Sequence, residues 1–208
     1  DNLLVFFENG AGMFLYLAPL GRDLDLSVIE FVRDYLLSQN SNRGIARIDN
    51  LEQEEAEELR RAGFNVQKRG TEYVYLREEL LNLRGDKFKS KRASLNHFLK
   101  NHTFNYRPYE EKDIDAVSSL LQDWIRMRED ESKGKMYNWM LKDCLRYHRE
   151  AFENYKDLGL LGRVVEVDGR LGAYSFGFKL NPDTFCIMLE VADLRIKGLA
   201  QFIFREFF

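Results

Sequence analysis

The sequence predicts an α/β chain of the α+β kind, built as two related units in tandem, with mixed sheets flanked by helices and the second unit incomplete at its C-terminus. Three observations predict it. Short β-prone apolar runs alternate with longer runs whose apolar residues recur at helical spacing. These elements follow the order ββαβαββ in the first part of the chain and βααβββα in the last part. A basic stretch stands between the two, so the expected division is residues 1–85, a bridging helix at 86–103, and residues 104–208.

In the first unit, Leu3 to Phe7 and Met13 to Leu17 are apolar and β-prone, and the intervening ENGAG has the Asn and Gly content of a hairpin turn. From Asp25 to Gln39, Leu26, Ile29, Val32, Leu36 and Leu37 recur at helical spacing until NSNRG breaks the pattern. A strand near Ile45 to Ile48, an acidic helix near Leu51 to Ala62 stopped by Gly63, and strands at Phe64 to Lys68 and Tyr73 to Leu76 complete the unit.

The bridging helix is expected from about Asp86 to His102. After it come a short strand at Phe104 to Arg107 and a helix carrying Ile114, Val117, Leu120, Leu121, Trp124 and Ile125 on one face. A further helix spans about Asn138 to Tyr155. Gly162 to Val167, Leu171 to Phe178 and Phe185 to Val191 read as three consecutive strands, with VDGR as a tight hairpin turn and KLNPDT as a longer one. An apolar helix from about Lys197 to Phe208 follows. Asp1 enters almost directly into a strand and Phe208 stops inside a helix without a capping residue, which reads as a fragment of a longer protein.

Composition narrows the function classes. With 208 residues, 45% hydrophobic and 13% aromatic, the chain can bury a sizeable core. Its 31 basic and 34 acidic residues leave a net charge of -3, which gives no global attraction to DNA, other nucleic acid or acidic lipid, so any such partner is met by a local patch. Cys144 and Cys186 lie far apart without Cys or His neighbours at metal-ligand spacing, so neither a disulfide framework nor a metal site is expected and a reducing cytoplasm fits. No apolar run reaches the ~20 residues needed to span a bilayer, which makes any membrane contact peripheral.

Several residues are candidates for chemistry. Arg195-Ile-Lys-Gly198-Leu-Ala200 lies between the last strand and the last helix, where small residues let backbone N–H groups approach a pyrophosphate and Arg195 and Lys197 add positive potential. An ordinary tight turn has the same composition. Glu190 and Asp193 flank the end of the last strand, where ligands gather in open α/β sheets. A carboxylate there can accept a proton from an attacking amine or position an ammonium group, although Asp193 can equally cap the next helix. Lys87, Lys89, Lys91 and Arg92 form the densest basic run, either a solvated helix face or a contact for lipid headgroups or tRNA phosphates. Asn96 can orient a ligand or pair with backbone. His97, His102 and His148 are scattered, and Trp124, Trp139, Tyr147, Phe152 and Tyr155 fall mostly on apolar helix faces, which suits structural roles for both sets.

The order βααβββα with the 195–200 pattern resembles the GCN5-related N-acetyltransferases. LRGDKFKSKRASLNHFLKNH, together with the long segment from LGLLGRVVEVDGR to the C-terminus, is similar to bacterial proteins sharing the phosphatidylglycerol lysyltransferase C-terminal domain, a family built as tandem GCN5-like units. Gly85, Lys91, Arg92, Leu95 and Asn96 match its basic bridging motif; Gly162, Asp168 and Gly169 match its strand-hairpin motif; Glu190, Ala192, Asp193 and Gly198 match its last motif. The chain departs from that pattern at Val191, where relatives commonly carry Lys, and at Phe204, where they favour Asn.

What the resemblance implies is transfer of an aminoacyl group from aminoacyl-tRNA to a lipid or another hydroxyl or amine acceptor. Glu190 and Asp193 would be catalytic, Lys91, Arg92 and Asn96 would bind substrate, and no cofactor is required. The donor ester is already activated, so the protein positions its reactants, moves a proton and stabilises an oxyanion. An acyl-CoA-dependent N-acyltransferase using Arg195, Lys197, Gly198 and Ala200 for pyrophosphate is the alternative enzyme. A catalytically inactive module that binds a small ligand or tRNA is the alternative outside enzymes.

Overall fold

The computed structural model describes residues 1–70, 72–131 and 135–207, and divides the chain into two compact units, Asp1–Glu72 and Tyr73–Phe208. The division falls ahead of the boundary expected at residue 85. Residues 73–85 therefore belong to the second unit.

In the first unit, β1 (Phe6–Asn9) and β2 (Gly12–Leu15) form an antiparallel hairpin, in the register Phe6 with Leu15 and Asn9 with Gly12. Helix α1 (Leu26–Gln39) begins at Asp25, whose carboxylate accepts the Ser27 N–H at 2.9 Å. Its buried Ile29, Val32 and Leu36 repeat at helical spacing, and Val32 and Leu36 pack on Leu15, with Phe6, Met13 and Ile48 around them. Asn40 ends α1 and joins it to β2: its Oδ1 accepts the Met13 N–H at 2.8 Å and its Nδ2 donates to the Met13 carbonyl at 2.7 Å. Helix α2 (Gln53–Arg61) starts in a reciprocal capping box between Glu52 and Glu55.

The strands expected at 45–48, 64–68 and 73–76 are not formed. A 3-10 turn occupies Arg43–Ile45, and a single parallel bridge from Leu15 to Ile48 is the pairing of that segment. Residues 64–68 and 73–76 carry no ladder, with Tyr73 82% and Val74 86% exposed. β-propensity reports the fit of a side chain to a half-buried sheet surface, and among the described residues these segments pair with no strand.

In the second unit, α3 (Arg77–Asn82) ends at Leu83, which is in the left-handed region at φ 46°. A 3-10 turn at Asp86–Phe88 leads into α4 (Lys89–Asn101), so the expected bridging helix is two elements. Then come β3 (Phe104–Pro108), α5 (Ile114–Glu131), α6 (Lys135–Asn154), β4 (Leu161–Val167), β5 (Arg170–Asn181), β6 (Thr184–Ala192) and α7 (Leu199–Glu206). The four strands lie in the order β3-β4-β5-β6, all antiparallel. The β4–β5 connection is two residues long, Asp168 and Gly169, both at positive φ as such a turn demands.

This sheet is covered on both faces. On one, Val117, Leu120, Leu121 and Ile125 of α5 and Phe152 of α6 pack on Val164, Tyr174, Phe176, Leu189 and Val191. On the other, Leu95 and Phe98 of α4 and Leu199, Phe202 and Ile203 of α7 pack on Val165, Val167, Ala173 and Ala192. The alternation along the strands assigns each residue to its face. Trp124 and Tyr155 pack against the first core, as expected, while the side chain of Trp139 lies outside the described residues.

Three polar arrangements hold the layers in register. Arg107 of β3 donates from both terminal nitrogens to the Asp113 carboxylate at 2.7 Å each, and also to Glu166 of β4 at 2.6 Å. These hydrogen bonds, and secondarily the positive charge of Arg107, hold both carboxyls below their ordinary values. His148 of α6 meets the Tyr174 hydroxyl at 2.7 Å inside the aromatic core, and burial lowers its pKa to about 4. His102, at the end of α4, meets Asp168 of the β4–β5 turn at 2.9 Å.

Candidate functional site

Leu189, Val191 and Glu190 at the end of β6 decide where the site lies. Leu189 and Val191 face the α5–α6 layer. Glu190, between them, must therefore point to the opposite face, where α4 and α7 pack. There it lines a cavity of about 290 Å³ within the second unit, with Leu80 and Leu83 at the end of α3, Phe88 and Lys91 at the start of α4, and Ala200 and Phe204 of α7. Tyr75, Gln201 and Arg205 complete the wall.

The Glu190 carboxyl is the distinctive group of this cavity. The residue as a whole is partly exposed, yet its Oε2 is sealed from solvent and, among the described residues, has no hydrogen-bond partner. Burial raises its pKa from 4.5 to about 8. At neutral pH the group is mostly protonated, and it exchanges its proton close to the pH at which most proteins work.

Two cations sit on facing walls. Lys91 is exposed on α4. Arg205 of α7 donates to the Glu206 carboxylate from Nε, at 2.7 Å, and from Nη2, so its charge is paired. Helical spacing brings Arg205 and Phe204 to the cavity together with Ala200 and Gln201, one turn earlier. Phe204 meets Tyr75 edge-on, with ring centroids 6.0 Å apart. The surroundings of Glu190 are thus largely apolar walls that also carry the Lys91 ammonium and the Arg205–Glu206 ion pair.

The neighbouring turn, residues 193–198, is tightly tied. The Asp193 carboxylate accepts the Arg195 backbone N–H at 2.9 Å and its guanidinium at 2.9 and 2.7 Å, which holds the acid below its ordinary value. Asp193 thus caps this turn, whereas the N-cap of α7 is Gly198. Gly198 has φ 91°, and a Cβ built on it would stand 2.0 Å from the Ser94 carbonyl oxygen of α4. Lys197 is exposed.

Of the residues singled out from sequence, the structure brings Glu190, Lys91 and Ala200 to one cavity. Asp193, Arg195, Lys197 and Gly198 form the adjacent turn. Arg92 is directed elsewhere: its Nη1 donates to the Leu83 carbonyl and, at 2.7 Å, to the Gly85 carbonyl, which fastens the end of α3. Asn96 is exposed on α4 away from the cavity lining. Sequence reasoning missed Arg205, Gln201 and Tyr75. The available signal for the first two was the i, i+4 relation of Ala200 to Phe204 and of Gln201 to Arg205.

Among the described residues, no helix is long and apolar enough to cross a membrane. Comparison with known proteins found no match among curated sequences. Two solved structures resemble the chain over its whole length. One is a conserved protein of unknown function from Bacteroides thetaiotaomicron VPI-5482, 25% identical with a TM-score of 0.70, of which this chain spans 69%. The other is the C-terminal domain of a putative lysylphosphatidylglycerol synthetase from Agrobacterium fabrum, 12% identical with a TM-score of 0.53, of which this chain spans 62%. The latter likeness speaks to the fold. A family model described as phosphatidylglycerol lysyltransferase, C-terminal, matches residues 1–208, and the chain belongs to that family.

Proposed function

We propose that this chain carries an acyl-transfer site that moves an aminoacyl group from aminoacyl-tRNA to a lipid or to another hydroxyl or amine acceptor. The observation that supports this most is the Glu190 carboxyl, whose Oε2 is sealed and, among the described residues, without a hydrogen-bond partner, beside a cavity that Lys91 also lines. A carboxyl raised to about 8 is matched to taking up and returning a proton near neutral pH. In this reading the ionised fraction of Glu190, about a tenth at pH 7 for a carboxyl near 8, is the base: the acceptor oxygen or nitrogen attacks the ester carbonyl carbon and the Glu190 carboxylate takes its proton. When the intermediate collapses, the bond to the terminal ribose oxygen of the tRNA breaks and Glu190 returns the proton to that oxygen.

Lys91 supplies local positive potential for the phosphates of an acceptor arm or an anionic headgroup, which a chain of net charge -3 does not supply globally. The family's name, with its lysyl donor and lipid acceptor, supports the same reaction class. The reading also keeps the two units as tandem GCN5-like units and places the protein at the cytoplasmic membrane surface. Asp193, which ties down the adjacent turn through Arg195, serves here as a support of the site.

The test is transfer of label from radiolabelled aminoacyl-tRNA to phosphatidylglycerol vesicles or a soluble amine acceptor, followed by lipid extraction. Glu190→Gln should lower transfer on the order of 100-fold while tRNA binding persists, because it removes a general acid–base. Transfer at the parent rate would refute the role of Glu190. A second reading, a module that binds tRNA without transfer, is favoured by Phe204, which makes an apolar wall opposite the acid. It predicts tRNA binding weakened by Lys91→Glu and no labelled product with either acceptor.

A further inference from the structure

We propose that the strip from Tyr73 to Lys91, around the mouth of the Glu190 cavity, is a docking surface for a lipid bilayer that carries anionic headgroups. Two properties of the strip point there together. One is a run of exposed apolar side chains, and the other is a set of unpaired cations beside it.

The apolar run is Tyr73, Val74, Tyr75 and Leu76, which are exposed by 82%, 86%, 49% and 70%. Single exposed apolar residues are commonplace on a protein surface, but four large ones in succession form a patch that a partner covers. The Tyr73 and Tyr75 rings stack with centroids 6.3 Å apart, and Tyr75 lines the cavity, which puts both phenols at its mouth. A tyrosine has an apolar body and a polar tip, the combination that settles at a membrane–water interface.

The cations lie close by. From Tyr73 to Lys100, seven Lys and Arg stand against three Asp and Glu, a local charge of +4 in a chain of net charge -3. Lys87 is paired with Glu79 at 3.0 Å. Arg77, Arg84, Lys89 and Lys91 are exposed and, among the described residues, make no ion pair. Each belongs to the cavity lining or stands within two residues of it: Arg77 follows Tyr75, Arg84 follows Leu83, Lys89 follows Phe88, and Lys91 lines the cavity itself. Glu78 and Asp86 are the acids of the strip left to oppose them.

The phosphates of a nucleic acid would meet the same cations, and the tyrosine rings could receive bases, but Val74 and Leu76 offer nothing to either. A surface that is greasy below and negative above uses every part of the strip. The headgroup layer of an anionic bilayer is such a surface, taking apolar side chains into its acyl boundary and holding Lys and Arg at its phosphates. Docking of this kind deepens the lipid-acceptor part of the proposed function and rests on it for its purpose, because the mouth of the Glu190 cavity would then face the lipid.

The experiment is flotation of the purified chain, without tRNA, with vesicles of phosphatidylcholine alone and with vesicles containing about 30% phosphatidylglycerol, at low and at physiological salt. The chain should partition to the anionic vesicles at least about tenfold more strongly, and the preference should fall with salt. Arg84→Gln combined with Lys89→Gln should weaken that partition on the order of 25-fold, at about fivefold for each cation removed. Tyr73→Ser combined with Val74→Ser should weaken it about tenfold or more while Tm stays within about 1 °C, since both side chains stand in water. Equal partition to both vesicles, no partition to either, or strip variants that bind as the parent does would each overturn the proposal. So would a strip that serves another partner: a parent that dimerises without vesicles until Val74 is replaced, or a tRNA affinity that falls with Arg84 and Lys89 while vesicle partition does not. Transfer to a soluble amine acceptor without vesicle binding sinks the docking alone, whereas vesicle binding without any transfer leaves the docking standing and sinks the transfer reading.

Discussion

Replacing Glu190 by Gln tests the energetics of the cavity independently of any substrate. The folded protein keeps the Glu190 proton up to about pH 8, whereas the unfolded chain releases it near 4.5. Between those values the unfolded state binds fewer protons, so the parent protein loses stability as pH rises, and the loss is complete above the folded value. From a rise of 4.5 to about 8, the ceiling on this loss at pH 7 is about 3 kcal/mol. Partial exposure of the residue reduces it to about 1–2 kcal/mol. The Gln amide does not titrate, so the variant should melt higher by about 2–8 °C at pH 7, at roughly 2–4 °C per kcal/mol for a chain of this size. The advantage should shrink as pH falls and nearly vanish at pH 4.5, the ordinary carboxyl value. Circular-dichroism melts at pH 5, 6, 7 and 8 measure it. A gap that is absent at every pH, or that widens toward acid, would refute the buried, uncompensated carboxyl.

Four other variants have outcomes set by packing and charge. Arg107→Ala leaves Asp113, 5% exposed, without its cation, and should cost about 3–5 kcal/mol in urea unfolding. Because Arg107 holds Asp113 and Glu166 below their ordinary values, its contribution is present above those values and fades as pH falls through the lowered ones, so the variant should also lose acid sensitivity. Arg92→Ala should lower stability by about 1–3 kcal/mol by freeing the Leu83 and Gly85 carbonyls, and Lys91→Ala should leave Tm unchanged while weakening tRNA binding in a salt-dependent manner. Phe98→Ala should cost about 3–5 kcal/mol in the same urea assay, since the ring is fully buried against Phe202 and Phe104.

The second unit was largely legible because its signals are periodic and its partners close in sequence. Val117, Leu120, Leu121 and Ile125 mark one helix face, and β4, β5 and β6 succeed one another through short turns, so local pattern and global pairing coincide. Glu190 was legible for the same reason: strand parity sends it to the face opposite Leu189 and Val191. The segments 64–68 and 73–76 were misread because β-prone residues become a strand only beside a partner edge. Within the site, residue type predicted charge but not commitment. Arg92 is held by carbonyls of the preceding turn and Asp193 and Arg195 by each other, through hydrogen bonds that composition does not display. Gly198 was visible as a special residue, but the reason for it, the carbonyl of Ser94, lies more than a hundred residues earlier in the chain.

The bond between His148 and Tyr174 bears on how α6 finds its place. Most of what α6 offers the sheet is apolar, and apolar faces tolerate sliding, because one greasy surface serves nearly as well as the next. The imidazole and the phenol do not. A slip of α6 by one residue would strand both inside the aromatic core without partners, at a cost of about 2–6 kcal/mol for the two groups. Their bond therefore works as a detent: it adds little to overall stability, yet it selects one alignment of helix and sheet from several that hydrophobic burial alone would accept.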